Sequence, residues 1–217
     1  MPGGLAPGCP VNGSREHWEE VYQARQPDEV SWFQAHPANS LRFIEASGVA
    51  CDAPVVDVGG GNSHLVDCLL DRGYSDLSVI DIASGALRQS RARLGARADG
   101  IDWIEADITD FSPRRRYAVW HDRAVYHFLM TEEARAAYLA VLRAGLAPGG
   151  ALVLGTFATG GPRRCSGLPV RQYDASTLCA ELGDEFELLD ATRVVHHTPG
   201  DVEQLFAWFR LRRRPDV

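Results

Sequence analysis

Pro54-Val-Val-Asp57-Val-Gly59-Gly60-Gly61-Asn62-Ser63 decides the fold of this chain. The short β-branched run predicts a strand, and three glycines stop it. Leu65, Val66, Leu69 and Leu70 then recur at helical spacing until Gly73. The unit repeats downstream. Strands are predicted at Leu77–Asp81, Ile101–Glu105, Arg116–Trp120 and Ala151–Gly155, with helices over Ala83–Ala96 and from Thr131 toward Pro148-Gly149-Gly150. Such alternation predicts a doubly wound α/β domain, a mostly parallel sheet with helices on both faces.

Upstream, Ser14 can cap a helix to about Arg25 carrying Trp18, Val21 and Tyr22. A loop with Trp32-Phe33 follows, then a helix from Pro37 that ends at Gly48. These segments form an N-terminal helical lid. Downstream, Ala175–Leu182 reads as a helix. Phe186–His196 and Gln204–Arg212 read as two strands joined by Thr198-Pro-Gly-Asp201, so one strand runs antiparallel to the rest. Residues 14–213 form one domain on this reading, and 1–13, rich in Gly and Pro, a flexible tail.

Composition narrows the chemistry. All 22 basic residues of the 217 are Arg, which excludes Schiff-base lysine enzymes and a Walker A loop. At net charge −7, with only Arg114–Arg116 and Arg212–Arg214 as basic runs, no nucleic-acid partner is expected. No apolar run approaches the ~18 residues of a membrane span. Cys9, Cys51, Cys68, Cys165 and Cys179 are scattered, without a C-x-x-C pair, so no metal site is expected and a reducing cytoplasm fits. Codon bias of a GC-rich bacterial genome accounts for the missing lysine.

Ligands of open α/β sheets lie beyond the carboxyl ends of the strands. Glycines there let backbone approach a ligand, and Asp81, about twenty residues on, is placed to accept the ribose hydroxyls of an adenosine. A dinucleotide fingerprint wants Gly or Ala where His64 stands. Asp57 stands two residues before the first glycine.

Asp57-Val-Gly59-Gly60-Gly61 resembles the first motif of class I methyltransferases, and Val79-Ile80-Asp81-Ile82 the second. Glu105-Ala106-Asp107-Ile108 resembles the adenine-binding segment, and Leu146-Ala-Pro148-Gly149-Gly150 the L-x-P-G-G turn. This resemblance spans about residues 14–212. It implies S-adenosylmethionine as cofactor and a seven-stranded sheet whose last strand is antiparallel. It also implies that Asp57 holds loop amides and a cofactor ammonium group, that Asp107 accepts the adenine amine and that the Ile108 amide faces a ring nitrogen. Trp18, Tyr22 and Gly61-Asn62-Ser63 are similar to a smaller group that includes eukaryotic protein-lysine methyltransferases; no substrate is carried across that likeness.

The end of the fourth strand should face the transferred methyl. It reads Trp120-His121-Asp122-Arg123-Ala124-Val125-Tyr126-His127, without the Asn-Pro-Pro-Tyr of base methylators. His121, Tyr126 and His127 are the candidate catalytic residues, either histidine as a general base. Cofactor-binding candidates are Trp18, Trp32, Asp57, Gly59, Gly60, Gly61, Asn62, Asp81, Ile82, Asp107, Ile108 and His121. Trp32 and the segment Gly161–Tyr173, with Cys165, are expected to close over the methyl. The acceptor expected is a small molecule, with a protein lysine or a non-catalytic cofactor-binding module as alternatives, in a monomer or homodimer.

Overall fold

The computed structural model describes residues 13–26 and 28–215; of the expected tail, residues 1–12 lie outside the described residues. Strands β1 (Val55–Val58), β2 (Leu77–Asp81), β3 (Ile101–Glu105), β4 (Tyr117–Arg123), β5 (Leu146–Phe157), β8 (Phe186–His197) and β9 (Glu203–Arg213) form one sheet. Its order is β3-β2-β1-β4-β5-β9-β8, with β9 antiparallel to both neighbours and the β1, β2, β3, β4 and β5 pairings parallel. The seven-stranded, doubly wound reading with an antiparallel last strand is the observed architecture. Two short strands, β6 (Arg164–Cys165) and β7 (Leu168–Pro169), pair separately inside the segment 161–173.

Helices α1 (Arg15–Ala24), α2 (Ala38–Glu45), α3 (Leu65–Asp71), α4 (Ser84–Leu94), α5 (Glu132–Gly145) and α6 (Ala175–Leu182) complete the chain. Local chemistry fixes their starts. Ser14 accepts from the His17 amide, Thr131 from the Ala134 amide, and Asp174 with Thr177 forms a capping box. Buried residues of α2 and α3 pack with Val55, Val79 and Trp208 on one sheet face. Those of α5 and α6 pack with Val56, Trp120 and Leu154 on the other. The alternation along β1 feeds both cores.

The largest differences from the sequence reading lie at the end of β4 and the start of β5. β4 runs to Arg123 rather than Trp120, because the polar residues His121 and Asp122 find partners inside the protein. β5 begins at Leu146, and its register against β4 shifts between Tyr117 and Val119 to absorb Pro148-Gly149-Gly150. The helix expected to reach Ala96 stops at Leu94, where Gly95 takes φ 57°.

Candidate functional site

The strand order reverses at β1, between β2 and β4, and the carboxyl ends of these strands open into a cleft of about 950 Å³, a volume that includes solvent at its mouth. Gly59, Asp81 and Arg123 end or follow the three strands and all line it. Gly59 holds φ 66°, and a methyl there would collide with Val125, so the loop hugs the β4 end as only glycine permits.

The acid at the end of β2 is buried at 6% exposure. One oxygen accepts from the Ala83 amide at 2.8 Å. Burial pushes the Asp81 carboxyl up to about 7, against that amide, and the charge of Asp57 adds to the rise. No cation pairs with Asp81 among the described residues, so the cleft presents an acceptor suited to hydroxyl donors. Farther out, Asp107 is exposed and its Oδ1 accepts from the Thr109 amide at 2.8 Å and from the Thr109 hydroxyl at 2.7 Å. Ile82 and Ile108 supply apolar walls.

Aromatic rings roof the cleft. Trp32 lies edge-on to both Trp18 and Tyr22, with centroids 6.1 and 6.0 Å apart. Glu19 anchors α1 by accepting from Ser84 Oγ at 2.8 Å and from the Gly85 amide at 3.2 Å, which caps α4 from another element. The segment 161–173 contributes Cys165, buried at the cleft, where burial pushes its thiol up. Trp32 and Cys165 therefore do line one cleft.

Of the expected residues, Trp18, Trp32, Gly59, Asp81, Ile82, Asp107 and Ile108 line the cleft, whereas Asp57, Gly60, Gly61, Asn62 and His121 do not. Asp57 Oδ1 instead lies 2.7 Å from His121 Nδ1, and His121 Nε2 lies 3.0 Å from Ser40 Oγ of α2. Asn62 donates to Gln89 Oε1 at 3.1 Å. Arg93, which sequence reasoning passed over, holds the glycine loop from below through the carbonyls of Asn62 (3.0 Å) and Ser63 (2.8 Å).

The expected catalytic trio also lies away from the cleft. His127 is fully buried, accepts from the Phe157 amide at 3.3 Å, and burial pulls it down to about 3. Tyr126 packs between Tyr138 and Tyr173, and burial raises its phenol. Strand pairing in β4 turns His121 toward Asp57 and Ser40, and the 3-10 turn Tyr126–Phe128 buries His127 against Phe157, so neither imidazole lines the cleft. Asp122 accepts from the Val125 amide at 2.9 Å and the Tyr138 hydroxyl at 2.7 Å, and burial pushes it up to about 6. This clamp holds Ala124 at φ 71°, a strained turn at the cleft wall.

The residue missed is Arg123. Its Nη2 donates to the Trp32 carbonyl at 2.9 Å, tying the lid to β4. It also lines a second cavity, with Gln34, His196 and Trp208 among the walls. The sequence reading placed Arg123 just beyond the strand, in the segment expected to face the methyl, but its side-chain direction was not readable. Among the described residues no cluster of three His, Cys, Asp or Glu side chains could hold a metal, and no helix is long and apolar enough to cross a membrane.

This sheet order, with a glycine turn after β1 and a buried acid ending β2, defines the class I methyltransferase fold. Residues 55–150 match a family described as methyltransferase domain. Among curated proteins, the mouse EEF1A lysine methyltransferase 2 is 28% identical over 127 residues, covering 52% of this chain and 51% of that protein. The mouse eEF1A lysine and N-terminal methyltransferase is 27% identical over 124 residues, 56% of this chain but 17% of that one. The histidine N-alpha-methyltransferase of Mycolicibacterium smegmatis is 29% identical over 203 residues, 82% and 60% of the two chains. The chain thus spans less than two thirds of each relative. Among solved structures, the 1,6-didemethyltoxoflavin-N1-methyltransferase of Burkholderia thailandensis superposes with TM-score 0.75 at 19% identity, over 98% of this chain and 94% of that one. That likeness is one of fold.

Proposed function

We propose that this chain transfers a methyl group from S-adenosylmethionine to a small-molecule acceptor. The observation that carries the reading is a cleft with an adenosine-type acid on its floor that meets, at Arg123, a second cavity able to take another molecule. The residues fit the cofactor: Asp81 is a buried acceptor without a cation, suited to ribose hydroxyls, and the backbone at Gly59 is bare enough for close approach. Asp107 and Ile108 hold the adenine, and Trp18 and Trp32 cover the sulfonium, whose charge suits an aromatic face. S-adenosylmethionine supplies a methyl group that an acceptor's lone pair displaces from sulfur.

Positioning and exclusion of water then carry the rate. The tether from Arg123 to Trp32 and the anchoring of α1 by Glu19 keep the lid on the site. No histidine base is assigned a role, since His121 and His127 are spent in the core. We place the chain in a bacterial cytoplasm, acting as a monomer or homodimer without nucleic acid. Its arginine-only basic residues and the unpaired Cys51, Cys68, Cys165 and Cys179 support that setting.

A protein-lysine acceptor is the second reading, favoured by the names of the mouse relatives. Against it, the second cavity brings a guanidinium and no Asp or Glu to the place a lysine side chain would enter. Tritiated methyl transfer from S-adenosylmethionine into a bacterial extract separates the two. Label soluble in acid supports a small acceptor; label confined to precipitated protein supports lysine. Tight NAD binding with no binding of S-adenosylhomocysteine would refute both.

A further inference from the structure

Gln34, Arg123 and His196 come from three distant parts of the chain and meet at the second cavity, an opening of about 490 Å³ with its solvent-filled mouth. Their hydrogen bonds fix one another. His196 Nε2 lies 2.8 Å from the Ser31 carbonyl, which can only accept, so Nε2 carries the proton. Nδ1 is then an acceptor, and the atom 3.3 Å from it must be the Gln34 amide nitrogen. Gln34 Oε1 is thereby turned the other way. It is buried and has no hydrogen-bond partner among the described residues. A buried carbonyl left unmatched is costly, so it marks a place where a donor arrives.

Arg123 presents the complementary vacancy. It is partly buried where the cleft and this cavity meet, and its Nη2 donates to the neutral Trp32 carbonyl. The carboxylate whose charge acts on it is Asp57, and no ion pair joins the two among the described residues. Asp57 is engaged with His121. Burial draws the neighbouring His196 below its usual range, so that imidazole adds no cation at neutral pH. A guanidinium is a fork of donors matched to carboxylate geometry, and one held out of water without an anion is primed for one.

Building on the small-molecule reading above, we propose that Arg123 and Gln34 form the acceptor subsite: Arg123 binds a carboxylate and Gln34 Oε1 accepts an N–H of the same molecule. The acceptor class is a small amino-carboxylate. Phe206 and Trp208 give the subsite an apolar side for the rest of the molecule. Arg123 acts here as a specificity residue. Its anchor to Trp32 lets an arriving carboxylate be sensed by the lid over the cofactor.

The test uses the full chain loaded with S-adenosylhomocysteine and measures affinity by calorimetry. Probes are the common L-amino acids, their α-carboxamides and their decarboxylated amines. Carboxylates should bind, and the matched carboxamides should bind at least about tenfold more weakly, the loss of a charge-assisted pair. Arg123→Gln should erase that carboxylate preference, while Arg123→Lys retains part of it. Gln34→Met should weaken amino-carboxylates several-fold and leave simple carboxylates such as benzoate unaffected. A damaged fold would weaken every probe alike and leave the carboxylate-to-carboxamide ratio unchanged. Equal affinity for acids and amides, no binding of any carboxylate to the loaded protein, or an unchanged preference in an Arg123→Gln protein that binds the probes as tightly as the wild type would each overturn the subsite. Failure to bind S-adenosylhomocysteine would instead strike the methyltransferase reading, and the subsite with it.

Discussion

Replacing Asp81 by Asn should move stability and cofactor affinity in opposite directions. The carboxyl sits at about 7 in the folded chain and at 3.8 when unfolded. Below pH 3.8 both states are protonated and nothing is at stake. As pH rises from there the unfolded chain releases its proton while the folded one keeps it, so stability falls until about pH 7 and stays lowered above. Three units correspond to a ceiling of about 4 kcal/mol. Asn keeps the acceptor for Ala83 but turns an N–H toward Gly61, a cost of about 1–2 kcal/mol. The net gain expected at pH 8 is therefore about 2 kcal/mol, or about 4–8 °C in Tm for a domain of this size. Affinity goes the other way. A ribose donor loses its charged partner, and S-adenosylhomocysteine should bind about tenfold or more weakly. The wild-type protein should also lose affinity by up to about tenfold per pH unit below 7, as Asp81 takes up a proton, and Asp81→Asn should lack that dependence. Scanning calorimetry gives the first quantity and isothermal titration between pH 5.5 and 8.5 the second. A variant that melts lower at pH 8 and binds with unchanged affinity would refute the reasoning on both sides.

Trp32→Ala should weaken S-adenosylmethionine more than S-adenosylhomocysteine, by the ~0.5–2 kcal/mol of a cation facing an aromatic ring; competition titration with both ligands measures the difference. His121→Ala strands the Asp57 carboxylate and should lower stability by about 1–3 kcal/mol or more, with turnover per folded molecule maintained. Denaturant melts alongside methyl-transfer assays check it, and a turnover loss larger than the folded fraction explains would restore a catalytic role. Ala124→Gly relieves a positive φ and should raise stability by up to about 1 kcal/mol, read from the denaturation midpoint. Gly59→Ala meets both the Val125 side chain and a positive φ, so folded protein should lose S-adenosylhomocysteine binding in the same titration.

The sequence by itself determined the architecture. Strand and helix periods are local, and Ser14, Thr131, Asp174 and the glycine triplet carry their own boundaries, so the order of elements was readable without tertiary knowledge. The spacing of Gly59, Asp81 and Asp107 also placed them along one cleft, because residues ending or directly following adjacent parallel strands must meet there. Only the tertiary structure decided which polar side chains face the ligand. In β4 each step of one residue reverses the face. His121 thus points toward Asp57 and Ser40 of α2, Asp122 toward Tyr138 of α5, and Arg123, at the strand end, reaches the cleft. The same tertiary dependence hid the second cavity. Gln34, Arg123 and His196 lie far apart in the chain, and no local period links a lid loop to the edge strand β8. They meet because the loop before α2 packs against β8, where Gln34 bonds His196, and that packing alone brings Gln34, Arg123 and His196 to one cavity.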